Sequence, residues 1–157
     1  MKKPLENLPP SKIKWLEIED FEYLCFDFTQ KYMSYDEPIP DFSTRDNVLL
    51  ESALGSPKQT FAEKFLYEVF SKQASILFYS IIKNHPFKNG NKRIAVMSLL
   101  VFLSLNNRWL SIEPIDLYKL ARYVAATRTI EKDQVLNKIE EKIIQYITFF
   151  PKKRRKF

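Results

Sequence analysis

The chain has 157 residues, the length of one ordinary domain, and its 45% hydrophobic and 28% charged content is that of a globular protein. Two glycines, Gly55 and Gly90, cannot write a Rossmann or P-loop fingerprint, and one histidine with one cysteine provides neither a Cys/His zinc site nor an internal disulfide. The net charge of +6 includes five positive charges in the last seven residues, and the remainder carries +1, so the basicity describes a tail and not a nucleic-acid groove.

Residues 1–14, rich in Pro and Lys, read as a flexible arm without a signal-peptide pattern. Ile18 to Met33 reads as a first helix, with Ile18, Phe21, Leu24, Cys25 and Phe28 at helical spacing. A loop follows to Asp46, then a short helix with Val48, Leu49 and Ala53 on its inner face, Gly55 as a left-handed cap and Pro57 forbidding continuation. Lys58 to Tyr67 has aromatics without a period, and an exposed flap or hairpin is one reading of it. Phe61, Phe65 and Tyr67 there suit either docking of a peptide by strand addition or, for at least two of them, core packing.

Glu68 to Asn84 is amphipathic through Phe70, Ala74, Leu77, Phe78 and Ile81, and it stops at His85-Pro86 because a pre-proline residue is pushed away from helical geometry. The segment from Asn89-Gly90 to about Asn106 is apolar on nearly all sides and is expected to be the central, buried helix. Its longest apolar run, Ile94 to Leu105, broken only by Ser98 and Ser104, is twelve residues, short of the ~20 that span a bilayer. No membrane contact and a cytoplasmic location are therefore expected, and the single cysteine fits a reducing compartment. Trp109 to Ile112 reads as a short extended piece, Pro114 opens a helix ending near Thr127, and Asp133 to Phe149 forms the last one. The fold class is all-α, a compact bundle of about six helices over residues 15–150, with the basic tail at 151–157. The tail reads first as solvated chain, and second as a contact for nucleic acid, anionic lipid or an acidic partner.

Chemistry concentrates between the two best helices, in Asn84-His85-Pro86-Phe87-Lys88-Asn89-Gly90-Asn91-Lys92-Arg93. A helix start offers unsatisfied N–H groups and a positive dipole end, which together attract anions. Gly90 lets the backbone curl into a nest for phosphate oxygens, and Lys92 and Arg93 add positive charge there. His85 sits where a hydroxyl beside the phosphate could surrender its proton. A base, a cradle and cations within nine residues point to phosphoryl or nucleotidyl transfer. Cys25 reads as a small core residue, since pairing it with His85 would need a tertiary contact.

The stretch resembles the Fic/Doc signature H-x-F-x-[DE]-x-N-[GK]-R, matched by His85, Phe87, Asn91, Lys92 and Arg93, with Asn89 in place of the acidic residue. Arg45-Asp46, Leu49 to Leu54, Thr60-Phe61 and Leu66-Tyr67 look like the segment upstream of the motif in death-on-curing (Doc) proteins. Lys92, where Fic adenylyltransferases carry glycine, and Val96, where those proteins usually add a second arginine, point to the Doc branch. The resemblance implies a toxin of a toxin–antitoxin pair that moves the γ-phosphate of ATP to a hydroxyl of elongation factor Tu or a similar target, blocking translation. It implies His85 as the base, Phe87 as loop anchor, Asn89 at the Mg²⁺ position, Gly90, Asn91, Lys92 and Arg93 on the phosphates, and a Phd-like antitoxin as partner. The alternatives are a Fic-type adenylyltransferase and, because an amide is a weaker Mg²⁺ ligand than a carboxylate, an inert binding module. Thr127 to Glu131 partly matches a Fic inhibitory pattern and is taken as coincidence, so inhibition is expected from a partner.

Overall fold

A computed structural model of the chain describes residues 4–33 and 37–151. Its regular structure is six helices with two small ribbons, an all-α bundle as the hydrophobic periodicity indicates. Helix α1 comprises Ile18–Phe21 and Asp27–Tyr32 around a π-helical turn, Glu22–Phe26; α2 is Asn47–Gly55, α3 Phe70–Asn84, α4 Asn91–Leu105, α5 Pro114–Ala126 and α6 Lys132–Tyr146. Antiparallel β1 (Thr60–Phe61) and β2 (Lys64–Phe65) form a hairpin between α2 and α3. Strand β3 (Arg108–Leu110) pairs with β4 (Ile147–Phe149), so the last helix ends at Tyr146 and not at Phe149.

The central element is α3, where the sequence points to α4. Helix α3 lies against α2, α4, α5 and α6, and twelve of its fifteen residues are buried. Of its polar members, Ser75 donates to the Ser71 carbonyl at 2.7 Å, and the buried Gln73 amide donates to the Tyr67 carbonyl at 2.9 Å while its Oε1 has no partner among the described residues. A helix can be enclosed when its hydroxyls bond back to their own backbone. In α4 the burial is one-sided, and Met97, Leu100, Val101 and Leu105 stay partly exposed at its edge.

Two local expectations change phase in the structure. The π-helical turn inserts one residue's worth of rotation into α1, so Cys25, Phe26 and Thr29 face the core and Phe28 turns outward. In α2 the buried residues are Leu50, Ala53 and Leu54, while Val48 is exposed. Gly55 has φ −78° and is no left-handed cap; the chain tightens into a 3₁₀ turn, Ser56–Lys58, whose early Pro57 is tolerated where no helical N–H is needed.

The N-terminal segment also departs from expectation. Residues 4–14 are not a loose arm: the Arg108 guanidinium donates to the Leu5 and Asn7 carbonyls at 3.1 and 3.3 Å, and the Ser71 amide to Glu6 at 3.0 Å. The Asn106 side chain pairs with both backbone groups of Lys14, at 2.8 and 2.9 Å. Residues 152–157, most of the basic tail, lie outside the described residues.

Candidate functional site

The site is built at the turn from α3 to α4. Helix α3 ends on His85, which adopts φ 53° and ψ 53°, a left-handed conformation that histidine tolerates better than most residues. The helix stops at His85-Pro86 as the sequence predicts, and it does so by a left-handed turn in which the His85 amide still reaches the Ile81 carbonyl at 3.3 Å. The Pro86 carbonyl accepts from the Asp46 amide at 2.8 Å, and Asp46 in turn caps α2 through Leu49 at 3.0 Å. Asn84 donates to the Leu49 carbonyl at 3.1 Å. The turn is thus tied at both sides to the start of α2.

Phe87 points into the core, 3% exposed, within an aromatic cluster. Its ring lies 5.3 Å from Phe26, 6.1 Å from Phe21 and 6.1 Å from Phe42. The buried Asn91 amide brackets Phe87, accepting from its N–H at 3.0 Å and donating to its carbonyl at 2.7 Å. The Asn91 side chain therefore closes the loop.

Gly90 begins α4 at φ 84°. A Cβ there would lie 2.6 Å from Cγ1 and 2.8 Å from Cδ1 of Ile39, so glycine is required twice, by conformation and by space. Asn89 donates from Nδ2 to the Pro38 carbonyl at 3.2 Å, and its Oδ1 has no partner among the described residues. Arg93 is buried and bonds the carbonyls of Met33 and of Glu37, the latter at 3.0 Å. The loop before α2 is thereby held against the start of α4.

These residues open onto a cleft of about 420 Å³ lined by His85, Asn89, Gly90, Asn91, Lys92 and Arg93, together with Glu37, Ile82, Lys83, Tyr118 and Ala125. His85 is exposed on it, and no described residue hydrogen-bonds its imidazole. Lys92 makes no ion pair with a described residue. Lys83 reaches across to α5, bonding the carbonyls of Thr127 and, at 3.4 Å, Ala125, where the negative end of the helix favours a cation. Lys83, Lys92 and Arg93 line the cleft with a single acidic residue, Glu37, and the N-terminus of α4 stands at one side, a composition suited to a multiply charged anion.

A Fic/DOC family model matches residues 15–103, more than half of the chain and the part that carries the whole turn. The chain belongs to the Fic/DOC family. Comparison with curated proteins and with solved structures finds no match. Fic/DOC proteins are typically nucleotide-dependent transferases that commonly use ATP with Mg²⁺. The cleft offers backbone amides and cations for phosphates; no group of three or more His, Cys, Asp or Glu among the described residues could hold a metal ion by itself, so a divalent ion there would depend on phosphate oxygens, with Asn89 and Glu37 as the hard-oxygen residues of the lining.

The structure brings the six sequence-predicted residues His85, Asn89, Gly90, Asn91, Lys92 and Arg93 onto one cleft and leaves Phe87 in the core behind it. Glu37, Lys83 and Tyr118 were missed by sequence reasoning. Lys83 reads as an ordinary last-turn lysine, and Glu37 and Tyr118 are far away along the chain, with no linear signal. Cys25 has no part in the cleft: burial pushes its thiol up to about 12, against a weaker opposing hydrogen bond with Ser98, so it stays protonated. Glu131, in the partial inhibitory match, bonds the Arg128 amide at 2.7 Å and caps a 3₁₀ turn between α5 and α6.

No helix among the described residues is long and apolar enough to cross a membrane.

Proposed function

We propose that the chain is a Doc-like toxin that transfers the γ-phosphate of ATP to a Ser or Thr hydroxyl of a target protein of the elongation factor Tu class, stopping translation, with a Phd-like antitoxin as its natural partner. The observation that carries the reading is the exposed His85 imidazole at the rim of a cation-lined cleft at a helix N-terminus. Two residues favour the kinase over an adenylyltransferase. Lys92 brings a cation where adenylyltransferases have glycine, and Val96, three residues beyond Arg93, is 7% exposed and apolar, so no second guanidinium serves the phosphates.

The target hydroxyl enters beside His85, which takes its proton as the oxygen bonds to the γ-phosphorus. The bond from that phosphorus to the β,γ-bridging oxygen breaks, and ADP leaves. The amides at Gly90 to Arg93 and the Lys92 and Arg93 charges hold the phosphates in line, which supplies most of the rate. Mg²⁺, bound near Asn89 with the nucleotide, would neutralise charge on the phosphate oxygens. On the target side, Phe61 is 78% exposed at the tip of the β1–β2 hairpin and available to a docking peptide, whereas Phe65 packs on Trp15 and Tyr67 against the core.

The test is label transfer from ATP carrying γ- or α-phosphate label to purified elongation factor Tu and to lysate proteins, with and without His85→Ala. The γ label is expected on the target, falling at least about 100-fold in the variant, as for loss of a general base. Transfer of the α label would make the protein an adenylyltransferase, and transfer of neither an inert binding module.

A further inference from the structure

Position 89 holds a neutral amide, yet the cleft lining includes one acidic residue, exposed, whose backbone the neighbouring residues hold in place. Glu37 sits in the loop before α2, and it is the one acidic residue among the described residues lining the cleft. Its own carbonyl accepts from Arg93 at 3.0 Å, and the next carbonyl, Pro38, accepts from Asn89 Nδ2 at 3.2 Å. The following residue, Ile39, is buried and fills the space that a Cβ on Gly90 would need. Gln30 Nε2 holds the carbonyls of Ile39 and Pro40 at 3.0 and 3.4 Å. Three cleft residues, Asn89, Gly90 and Arg93, are therefore the surface on which residues 37–39 are docked.

The chemistry of residue 89 explains the arrangement. An amide donates to the Pro38 carbonyl; a carboxylate in that place has no proton to give and would face a carbonyl oxygen across 3.2 Å. Asparagine thus keeps the loop seated and leaves its Oδ1 without a partner among the described residues, and Glu37 is the acidic residue on the same lining. Mg²⁺ ordinarily takes one or two carboxylates together with phosphate oxygens and water. Two protein oxygens, one charged and one neutral, meet that pattern only when a polyphosphate completes it.

We propose that Glu37 supplies the carboxylate for the divalent cation that accompanies the nucleotide, with Asn89 as the residue that positions it and adds a neutral oxygen. The proposal rests on the nucleotide-transfer reading of the same cleft. It assigns the acidic function of the site to a loop residue 48 positions upstream of the motif histidine.

The experiment is Mn²⁺ titration, followed by electron paramagnetic resonance, of the full chain with and without a non-hydrolysable ATP analogue. Analogue affinity is measured separately in chelator. The wild type is expected to bind Mn²⁺ in the presence of the analogue, and Glu37→Gln to bind it at least about tenfold more weakly, since even a lost supporting contact costs that much. Analogue affinity without metal is not expected to fall, because the substitution removes a negative charge near the phosphates and leaves the backbone contacts of residue 37 in place. Mn²⁺ affinity within twofold of wild type in Glu37→Gln would overturn the proposal while leaving nucleotide binding intact. No analogue binding in any condition would overturn the nucleotide reading, and this proposal with it.

Discussion

At the scale of single residues, the cleft rests on positions whose side chains have no slack. Gly90 combines a left-handed backbone with an Ile39 methylene 2.6 Å from where a Cβ would stand. Left-handed strain costs about 1–2 kcal/mol in a non-glycine residue, and overpacking typically another 1–3. Gly90→Ala is therefore expected to lower unfolding free energy by roughly 2–5 kcal/mol in urea denaturation. Ile39→Ala in the same chain should recover part of that loss relative to the two single changes added together, because the shared clash disappears. Additive effects would mean that the loop moves aside without cost. These two residues also show how the site reads from sequence: Gly90 is conspicuous in a chain with two glycines, whereas Ile39 is one apolar residue among many and acquires its role only by contact.

Among the elements, α2 shows most clearly where periodicity stops informing. Five of its nine residues, Val48, Leu49, Leu50, Ala53 and Leu54, are apolar, so more than one stripe can be drawn and composition does not choose. The choice is made by α3, against which Leu50, Ala53 and Leu54 are buried. Leu50→Ala is expected to destabilise by about 2–5 kcal/mol and Val48→Ala by less than about 0.5, a contrast that thermal or denaturant unfolding measures directly. The same limit applies in α1, where a π-helical turn shifts the phase and exchanges Phe28 for Phe26 and Thr29 on the buried side. The ends of α3 and α4, by contrast, are announced by His85-Pro86 and Gly90, since proline and glycine act through their own backbone chemistry and need no partner.

Across the whole molecule, the N-terminal segment is part of the fold. Arg108 gathers the carbonyls of Leu5, Asn7 and Asn106, and its guanidinium lies 5.7 Å from the centre of the Phe70 ring. Arg108→Ala removes charged donors from all three carbonyls and is expected to cost about 2 kcal/mol. Hydrogen exchange offers a local check: the Ser71 amide, bonded to Glu6, should exchange faster in the variant, while the Ile94 amide inside α4 should follow global stability alone. Unchanged exchange at Ser71 would show that the segment is held by Ile13 and Leu16 packing without help from Arg108.

The amino-acid sequence by itself determined the all-α class, the ends of the two helices that frame the turn and the motif that joins them, because these follow from local periodicity, from proline and glycine, and from residue types clustered along the chain. Which helix became central, which face of α2 turned inward and how Glu37 and Lys83 reached the cleft were decided only in three dimensions. Burial is a property of what packs on a residue, and a contact between residues 37 and 93 has no counterpart in their separation along the chain.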